Sequence, residues 1–441
     1  MTEQIQVKPN IIKDIEKFGA FDVSACFNCG TCTATCPLSE NSNEFPRGII
    51  RLAQLGQKDK LIASKELWIC HYCGDCTAAC PREANPAQFM NSARKYAIAN
   101  VDPFGLTSLL NRSKALTVSI MSILAVFVAL MLDYSDRSRL FTDDYQILGG
   151  YYGEIIHFSG VAIGIFMALA FGLGAFRLYL KMRNNAPLKD REYVNEHLTT
   201  GNSFKLMLRS FYLMLKNDAV IEEGFVREDH LSDIEVEEGN YPPHTESYFS
   251  YEPKQKVSRR MIHLSIAGGF IGLFLATIYD YTIKDLIFGN PGGWVPIYHP
   301  IRLLGILSGL GMMFGTTMSM YYRYVKPDDS EYYKNTNFDD WMILTLIWFV
   351  GLTGFFATIM NYIPSLPSWA GWVVIVHVVV VYELFFILPF SKFAHIAYRP
   401  LALWIKRYED EKINFLSNLP PVETEESKEE EYLEVTQEMK I

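Results

Sequence analysis

The chain has 441 residues, of which 49% are hydrophobic and 20% charged, and its formal net charge at pH 7 is −9. This length exceeds one ordinary domain. The acidic balance gives no indication of a nucleic-acid partner, because such proteins carry basic patches. Part of the negative charge lies in the glutamate-rich stretch 423–434 near the C-terminus, which is typical of a solvated tail.

All eight cysteines belong to two copies of one motif, Cys-x2-Cys-x2-Cys-x3-Cys-Pro, at 26–37 and 70–81. Bacterial ferredoxins bind [4Fe–4S] clusters with this run, in which three closely spaced thiolates reach three corners of one cubane. Zinc sites prefer separate ligand pairs. Disulfides belong to oxidising compartments, and we expect no cleavable signal peptide at Met1. The sequence therefore predicts two [4Fe–4S] clusters.

The ligands of each cluster follow from the ferredoxin pattern, in which the fourth cysteine of a run binds the other cluster. The first cluster then takes Cys26, Cys29, Cys32 and Cys80. The second cluster takes Cys70, Cys73, Cys76 and Cys36. Ligation within each run is the simpler alternative.

The residues between the two runs predict helices rather than strands. Apolar residues recur there with approximate helical spacing, namely Ile49, Ile50, Leu52, Ala53, Leu55, Leu61 and Ile62. Gly56 and the polar residues after it interrupt the pattern. We therefore expect residues 1–100 to form a mostly helical dicluster ferredoxin domain, with Trp68 as core packing beside a cluster.

Six apolar stretches have the length of membrane helices: 115–133, 154–179, 259–280, 300–323, 341–361 and 370–396. The fold class is therefore mainly α, a helical ferredoxin domain followed by a six-helix transmembrane bundle. Lysine and arginine concentrate on the side of the cysteine runs, as in Arg112, Lys114, Arg177, Arg259 and Arg323. By the positive-inside rule both termini are cytoplasmic, which predicts a multi-pass protein of the cytoplasmic (inner) membrane.

The domain boundaries follow from these segments. Residues 1–100 form the iron–sulfur domain, 101–183 a linker with two membrane helices, 184–257 a cytoplasmic loop, 258–400 a four-helix domain and 401–441 an acidic cytoplasmic tail. Within the loop, 204–216 has the pattern of an amphipathic helix. It lies on the membrane surface or packs against the ferredoxin domain.

Histidines inside membrane segments are costly and indicate function. His377 and His395 are 18 residues apart, so on one continuous helix they share a face and are separated by about 27 Å. Pro389 between them can kink the helix and blur this phase somewhat. That arrangement suits two stacked b-type haems. By depth we pair His263 with His395 at the inner haem and His157 with His377 at the outer haem, with His299 as the rival of His157. A histidine hydrogen-bonded to its neighbours is the structural alternative for each.

The glycines of these helices fit close helix approach, and they also leave room for a porphyrin. They are Gly160, Gly164, Gly268, Gly269, Gly272, Gly305, Gly309, Gly311 and Gly315. Tight packing alone is the default interpretation.

Two families share these residues. The stretches Cys26–Pro37, Pro46–Ile50 and Trp68–Arg82 resemble the HdrC-type iron–sulfur component of heterodisulfide reductase. The last four membrane segments, and above all His377–His395, resemble the gamma subunit of respiratory nitrate reductase, a dihaem b quinol oxidase. A fusion of these modules resembles the membrane component of the quinone-interacting membrane-bound oxidoreductase (Qmo) complexes.

The resemblance implies an electron-transfer subunit that uses b haems and two [4Fe–4S] clusters, with menaquinone as substrate and cytoplasmic flavin and iron–sulfur subunits as partners. In sulfur metabolism the family's partner is adenylylsulfate reductase. One departure concerns the outer haem, since the second family histidine, ten residues after the first, is replaced by Leu273. Alternatives are a heterodisulfide reductase-like or other dehydrogenase complex, or a membrane iron–sulfur redox sensor without haem.

Overall fold

The computed structural model of the chain describes residues 7–19, 23–39, 45–70, 72–136, 151–184, 200–214, 259–279, 296–326, 336–360 and 370–417, with the single positions 257, 282, 333, 362 and 363. These residues form helices, turns and loops, and no strand occurs among them. The prediction of a mainly α chain is confirmed.

Short helices build the N-terminal domain around one longer helix. They are α1 (Ile11–Glu16), α2 (Thr31–Thr35), α3 (Arg47–Gln54), α4 (Lys58–Ala63), α5 (Glu66–Ile69), α6 (Asp75–Ala78) and α7 (Pro86–Val101). Helix α7 contacts α1, α3, α4, α5 and α6. Its first turn is capped by the Asn85 side chain, which accepts a hydrogen bond from the Gln88 amide. The core of this domain is therefore organised by α7, and Trp68 is buried in it as expected.

The break between α3 and α4 occurs at Gly56, as the sequence predicts. This residue has a φ of +71°, which glycine adopts without steric cost. A side chain there would also meet the Lys8 carbonyl oxygen at 2.8 Å. The glycine thus lets the chain turn directly beneath the N-terminal segment.

The remaining helices are α8 (Leu106–Leu110), α9 (Lys114–Asp136), α10 (Tyr151–Asn184), α11 (Thr200–Leu213), α12 (Arg259–Ile278), α13 (Pro300–Val325), α14 (Phe338–Met360), α15 (Ala370–Ile387) and α16 (His395–Ser417). In the described chain six segments are long and apolar enough to cross a membrane: Lys114–Leu132, Phe158–Asn184, Arg259–Ile278, Pro300–Val325, Phe338–Met360 and Gly371–Phe390. They match the six predicted stretches. Gly371–Phe390 is 50% buried against 17–28% for the others, so α15 is the central helix of the bundle.

Helices α12 and α13 are in close backbone contact, because glycines line their interface. A Cβ at Gly269 would lie 2.5 Å from the Ser308 carbonyl oxygen, and one at Gly315 would lie 2.8 Å from that of Ile262. These glycines serve tight packing. At Gly268, by contrast, a Cβ would meet no atom of the described residues within 4 Å, and this side of α12 is exposed.

The prediction of one continuous helix over 370–396 is wrong. Helix α15 ends at Ile387, and two single 3₁₀ turns, Leu388–Phe390 and Lys392–Ala394, lead to α16. Pro389 cannot donate a backbone hydrogen bond, and Ser391 between the turns is extended, with φ −118° and ψ −175°. The helical phase that places His377 and His395 on one face is therefore lost between them.

The chain divides into two compact units, residues 1–185 with 221–402, and residues 186–220 with 403–441. In the second unit α11 packs against residues 403–417 of α16. The indole of Trp404 donates to the Met207 carbonyl oxygen at 3.2 Å, and Arg209 pairs with Glu411 at 3.0 Å. Neither packing predicted for 204–216 includes this partner. The predicted tail is helical as far as Ser417, and residues 418–441 lie outside the described residues.

Candidate metal centres

The two cysteine runs fold alike. In the first run Asn28 and Gly30 have φ of +61° and +92°, and in the second Tyr72 and Gly74 have +56° and +97°. In each run the glycine carbonyl accepts hydrogen bonds from the amides three and four residues on, which begin helix α2 or α6. Helices α2 and α6 also contact each other. The sequence repeat is therefore a structural repeat whose halves face one another.

The first group of thiols surrounds Cys32. Burial raises the pKa of this thiol, and the neighbouring thiols of Cys26, Cys29 and Cys80 raise it further. Cys80 belongs to the second run, yet it lies with the first. This grouping is the one that crossed ligation requires.

The second group surrounds Cys76. Burial raises the pKa of its thiol, the thiols of Cys70, Cys73 and Cys36 raise it further, and Cys32 of the first group has the smallest such effect. Cys36 also lies near Cys70, which raises the Cys36 pKa. The last cysteine of the first run thus lies with the second run, so the two groups exchange one member each.

Buried thiols at these positions need positive partners before they become thiolates. Burial raises the pKa of Cys36 to about 11 and that of Cys73 to about 12. Iron ions supply the positive charge that lowers such values. Among the described residues no three His, Cys, Asp or Glu side chains converge on a single metal ion. The spacing of the cysteines along each run is the one that cubane clusters use, in which each thiolate binds a different iron.

The two cysteine groups differ in their surroundings. Cys29 is exposed, and the neighbouring Phe27 is 62% exposed. The second run instead borders the membrane helices. The Arg259 guanidinium, at the start of α12, donates to the Cys73 carbonyl oxygen at 3.5 Å, and the Lys392 ammonium lies 6.0 Å from the Tyr72 ring centre. The first group therefore faces outward and the second faces the bundle.

Two further contacts fix the second run. Arg94 of α7 donates to the Cys70 carbonyl oxygen at 2.8 Å and to that of Leu67 at 3.1 Å. The rings of Trp68 and Tyr398 meet edge to face with centres 5.1 Å apart, and both are buried. Since Tyr398 lies one turn after His395 in α16, the second cysteine group and His395 are parts of one packed junction.

His263 and His395 come together at this junction, as predicted. Their ring centres are 6.5 Å apart and their planes differ by 48°. Two imidazoles that bind one metal from opposite sides, with each nitrogen about 2 Å from it, place their centres about 6 Å apart. The His395 Nδ1 bonds to the Lys392 carbonyl oxygen at 2.8 Å, which leaves Nε2 for a metal. This pair fits a bis-histidine haem.

The outer histidines are arranged differently. His377 Nδ1 and the Thr353 hydroxyl lie 2.9 Å apart, so His377 lies on the α14 side of α15. The face of α15 that meets α9 and α10 carries other residues, Val374, Ile375, Val378, Val379 and Tyr382. Ile156, which precedes His157 in α10, packs against that cluster, and its carbonyl oxygen accepts a hydrogen bond from the Tyr382 hydroxyl at 2.9 Å. The His157 side chain lies outside the described residues.

His299, the rival ligand, directly precedes α13. Its ring centre is 6.1 Å from that of Tyr279 at the end of α12, and its buried Nδ1 has no hydrogen-bond partner among the described residues. The structure thus brings the inner histidine pair together, while the ligands of the outer site stay a prediction.

Comparisons with known proteins cover separate parts of the chain. Residues 22–84 match the family model "4Fe-4S dicluster domain", and residues 247–414 match the family model "Citrate utilization protein B".

Two relatives are HdrC-type components of heterodisulfide reductases. The first belongs to the H(2):CoB-CoM heterodisulfide,ferredoxin reductase of Methanothermobacter thermautotrophicus and is 39% identical to the chain over 71 residues. The aligned residues are 15% of this chain and 38% of the relative. The second belongs to the CoB--CoM heterodisulfide reductase of Methanopyrus kandleri and is 43% identical to the chain over 54 residues. The aligned residues are 12% of this chain and 28% of the relative.

The matches thus span less than two fifths of these relatives. No solved structure matches the chain. Residues 22–84 form a 4Fe–4S dicluster domain related to the HdrC-type component of heterodisulfide reductase, so the predicted iron–sulfur class is confirmed. Haem and quinone stay predictions.

The sequence did not predict the residues that join the two parts of the molecule. Arg94, Arg259 and Lys392 contact the second cysteine run from three different elements. In the sequence Arg259 is a topology signal alone. Pro389 was a usable signal for the break before His395, whereas nothing local distinguishes Arg94 from an ordinary helix residue.

Proposed function

We propose that the chain is a membrane electron-transfer subunit that carries electrons between the menaquinone pool and a cytoplasmic flavin and iron–sulfur partner. The observation that carries the proposal is the junction, where the His263–His395 pair adjoins the second cysteine group through Trp68 and Tyr398. In this proposal the protein lies in the cytoplasmic membrane with both termini on the cytoplasmic side.

The order of the ligand groups supports a linear path. The first cysteine group is nearest the outer surface of the iron–sulfur domain, where Cys29 and Phe27 are exposed. The second group lies between it and the histidine pair. When bound, the clusters and the haem each accept and release one electron at a time. The exposed group is therefore the proposed contact point for the soluble partner.

The surroundings of the second group favour its reduced state. A guanidinium from Arg94 and another from Arg259 point at the carbonyls of its loop, and the Lys392 ammonium lies against Tyr72. Positive charges stabilise the added negative charge. We infer that the second cluster has the higher reduction potential of the two.

The client of the proposed path follows from the resemblance to quinone-interacting oxidoreductases, which favours adenylylsulfate reductase. A second candidate is a heterodisulfide reductase-like or other dehydrogenase complex. The relatives named as heterodisulfide reductase components favour it. Subunits that co-purify with the chain distinguish the two clients.

The test is reduction of the purified membrane complex by a menaquinol analogue. We expect the reduced absorption bands of b haem and, in the same sample, electron paramagnetic resonance signals of reduced [4Fe–4S] clusters. A complex with clusters but no haem would contradict the proposed path and favour the redox-sensor alternative. If the haem is reduced while the clusters stay oxidised at every quinol concentration, electrons do not pass from the haem to the clusters.

A further inference from the structure

Lys392 lies where three segments of the chain meet. Its ammonium is 2.5 Å from a carboxylate oxygen of Asp340, in the first turn of α14. The same ammonium is 6.0 Å from the ring centre of Tyr72, inside the second cysteine run. Its own carbonyl oxygen bonds to His395 Nδ1 at 2.8 Å. One residue therefore touches the cluster loop, a membrane helix and a proposed haem ligand.

The anchor of Lys392 is itself fixed. The Asp340 side chain is 9% exposed and accepts a hydrogen bond from the Asn337 amide at 2.9 Å. A carboxylate in the first turn is stabilised by the helix dipole. The neighbouring Asp339 pairs with Lys95 of α7, whose side chain is 7% exposed. Adjacent acids at one helix end thus hold two lysines, one from the cluster domain and one from the turn before His395.

We propose that Lys392 is a positioning residue that holds the His395 imidazole in its orientation and couples it to the cluster loop. The inference rests on the proposed function, in which His395 ligates a haem. Within the short turns at 388–394, which contain Pro389, the Ser391 amide donates to the Leu388 carbonyl oxygen at 3.4 Å and the Ala394 amide to that of Ser391 at 3.0 Å. The ion pair with Asp340 ties these turns to α14, and the Lys392 carbonyl then sets the ring plane and basicity of His395.

The experiment compares Lys392→Met with Lys95→Met in the full-length membrane complex. Each variant removes a lysine that pairs with one of the two adjacent acids, so each leaves an uncompensated carboxylate. The structure connects Lys392 alone, of these two, to His395. The readouts are haem content, the haem midpoint potential and the g values of the oxidised low-spin haem, which report the relative orientation of the two imidazole planes.

We expect Lys392→Met to shift the g values and to lower haem affinity several-fold, because the turn that aims the Lys392 carbonyl at His395 loses its ion pair with Asp340. The loss should stay below the roughly 10- to 100-fold seen when an outer partner of a metal ligand is itself removed. Lys392→Arg should keep the wild-type spectrum, because a guanidinium can still pair with Asp340. Lys95→Met should keep the spectrum even though the protein becomes less stable. If Lys392→Met fails to fold, Asp340→Asn removes the partner charge at nearly the same side-chain size, and it should shift the same signals.

Two results would overturn the inference. One is a wild-type haem spectrum and affinity in Lys392→Met or, when that variant does not fold, in Asp340→Asn. The other is an equal spectral shift in the Lys95 and Lys392 variants, which would indicate a general effect of destabilisation. Failure of the proposed function looks different, because the wild-type complex itself would then contain no haem at the His263–His395 pair.

Discussion

His263 and His395 lie with ring centres 6.5 Å apart, although one begins the third membrane helix and the other follows the sixth. His263 lies in the N-terminal part of α12, and His395 is the first residue of α16, after the turns that follow α15. The site is thus built where α12 and α16 begin, next to the second cysteine run. A haem held there borders the second cysteine group, which is what a short electron path requires.

Replacing His395 by Ala should remove the haem held by this pair and leave both clusters in place, because the cysteines that bind the clusters belong to a separate set of ligands. Haem content and the reduced-minus-oxidised spectrum measure the loss, and iron and sulfide analysis measures the clusters. His299→Ala is the matched control for loss of a histidine near a helix start, and it should keep the inner signal. Full haem in His395→Ala would refute the pairing.

Replacing Cys36 by Ala should damage the second cluster more than the first, since Cys36 lies with Cys70 and Cys76. Cys80→Ala should do the reverse, because Cys80 lies with Cys32. Electron paramagnetic resonance of the two reduced variants distinguishes the clusters, and each variant controls for the other. The opposite pattern of loss would show that each run ligates its own cluster.

Local patterns predicted the elements of this protein well. The six apolar stretches became six long helices, and the spacing of Ile49, Ile50 and Leu61 became helices α3 and α4 around Gly56. These features depend on neighbouring residues alone, since side-chain periodicity and glycine's freedom act within one or two turns. The two cysteine runs were equally readable, because cluster binding fixes both residue type and spacing.

Relations between distant segments were less predictable. The pairing of His263 with His395 depends on membrane depth, yet the helical phase invoked beside it fails at Pro389 and Ser391. The Lys392–Asp340 contact depends on the direction that the chain takes after this break. A periodic pattern of apolar residues does not predict that direction. The depth of a residue in the membrane follows from its position along an apolar segment. The direction in which its side chain points depends on how the helices pack, which only the folded chain determines.

Arg94 supports the second cysteine run from α7, so its removal should weaken that cluster selectively. Arg94→Ala takes a charged donor from the carbonyls of Leu67 and Cys70, and such hydrogen bonds contribute about 1.5–3 kcal/mol each. We expect faster loss of the second cluster on heating and a lower reduction potential for it. The exposed Arg82, near the first cysteine group, is the control, and Arg82→Ala should change stability by less than about 0.5 kcal/mol.

Cluster assembly should depend on pH, and differently for the two sites. Burial raises the pKa of Cys36 to about 11 and that of Cys73 to about 12, so both thiols keep their protons at pH 7 and must release them to bind iron. A rise in pH favours that release, by about tenfold for each titrating thiol per pH unit below its pKa.

The first cluster contains the exposed Cys29, whose pKa is lowered by its hydrogen bond to Thr31. In iron-stripped protein reconstituted across a range of pH from neutral to mildly alkaline, the first cluster should therefore refill at lower pH than the second. Iron content and cluster spectra at each pH test this order. Equal recovery of both clusters across the range would contradict it.

The outer haem is decided by three histidine variants measured together. His377 is held at Nδ1 by Thr353, which leaves Nε2 for a metal, so His377→Ala should lower the haem count from two to one if the outer site exists. The matching loss in His157→Ala, but not in His299→Ala, would identify His157 as the second ligand. The reverse would identify His299, whose buried Nδ1 lacks a partner among the described residues. A single haem in the wild type, unchanged in all three variants, would mean that Leu273 has replaced the outer ligand outright and that quinone chemistry belongs beside the inner pair.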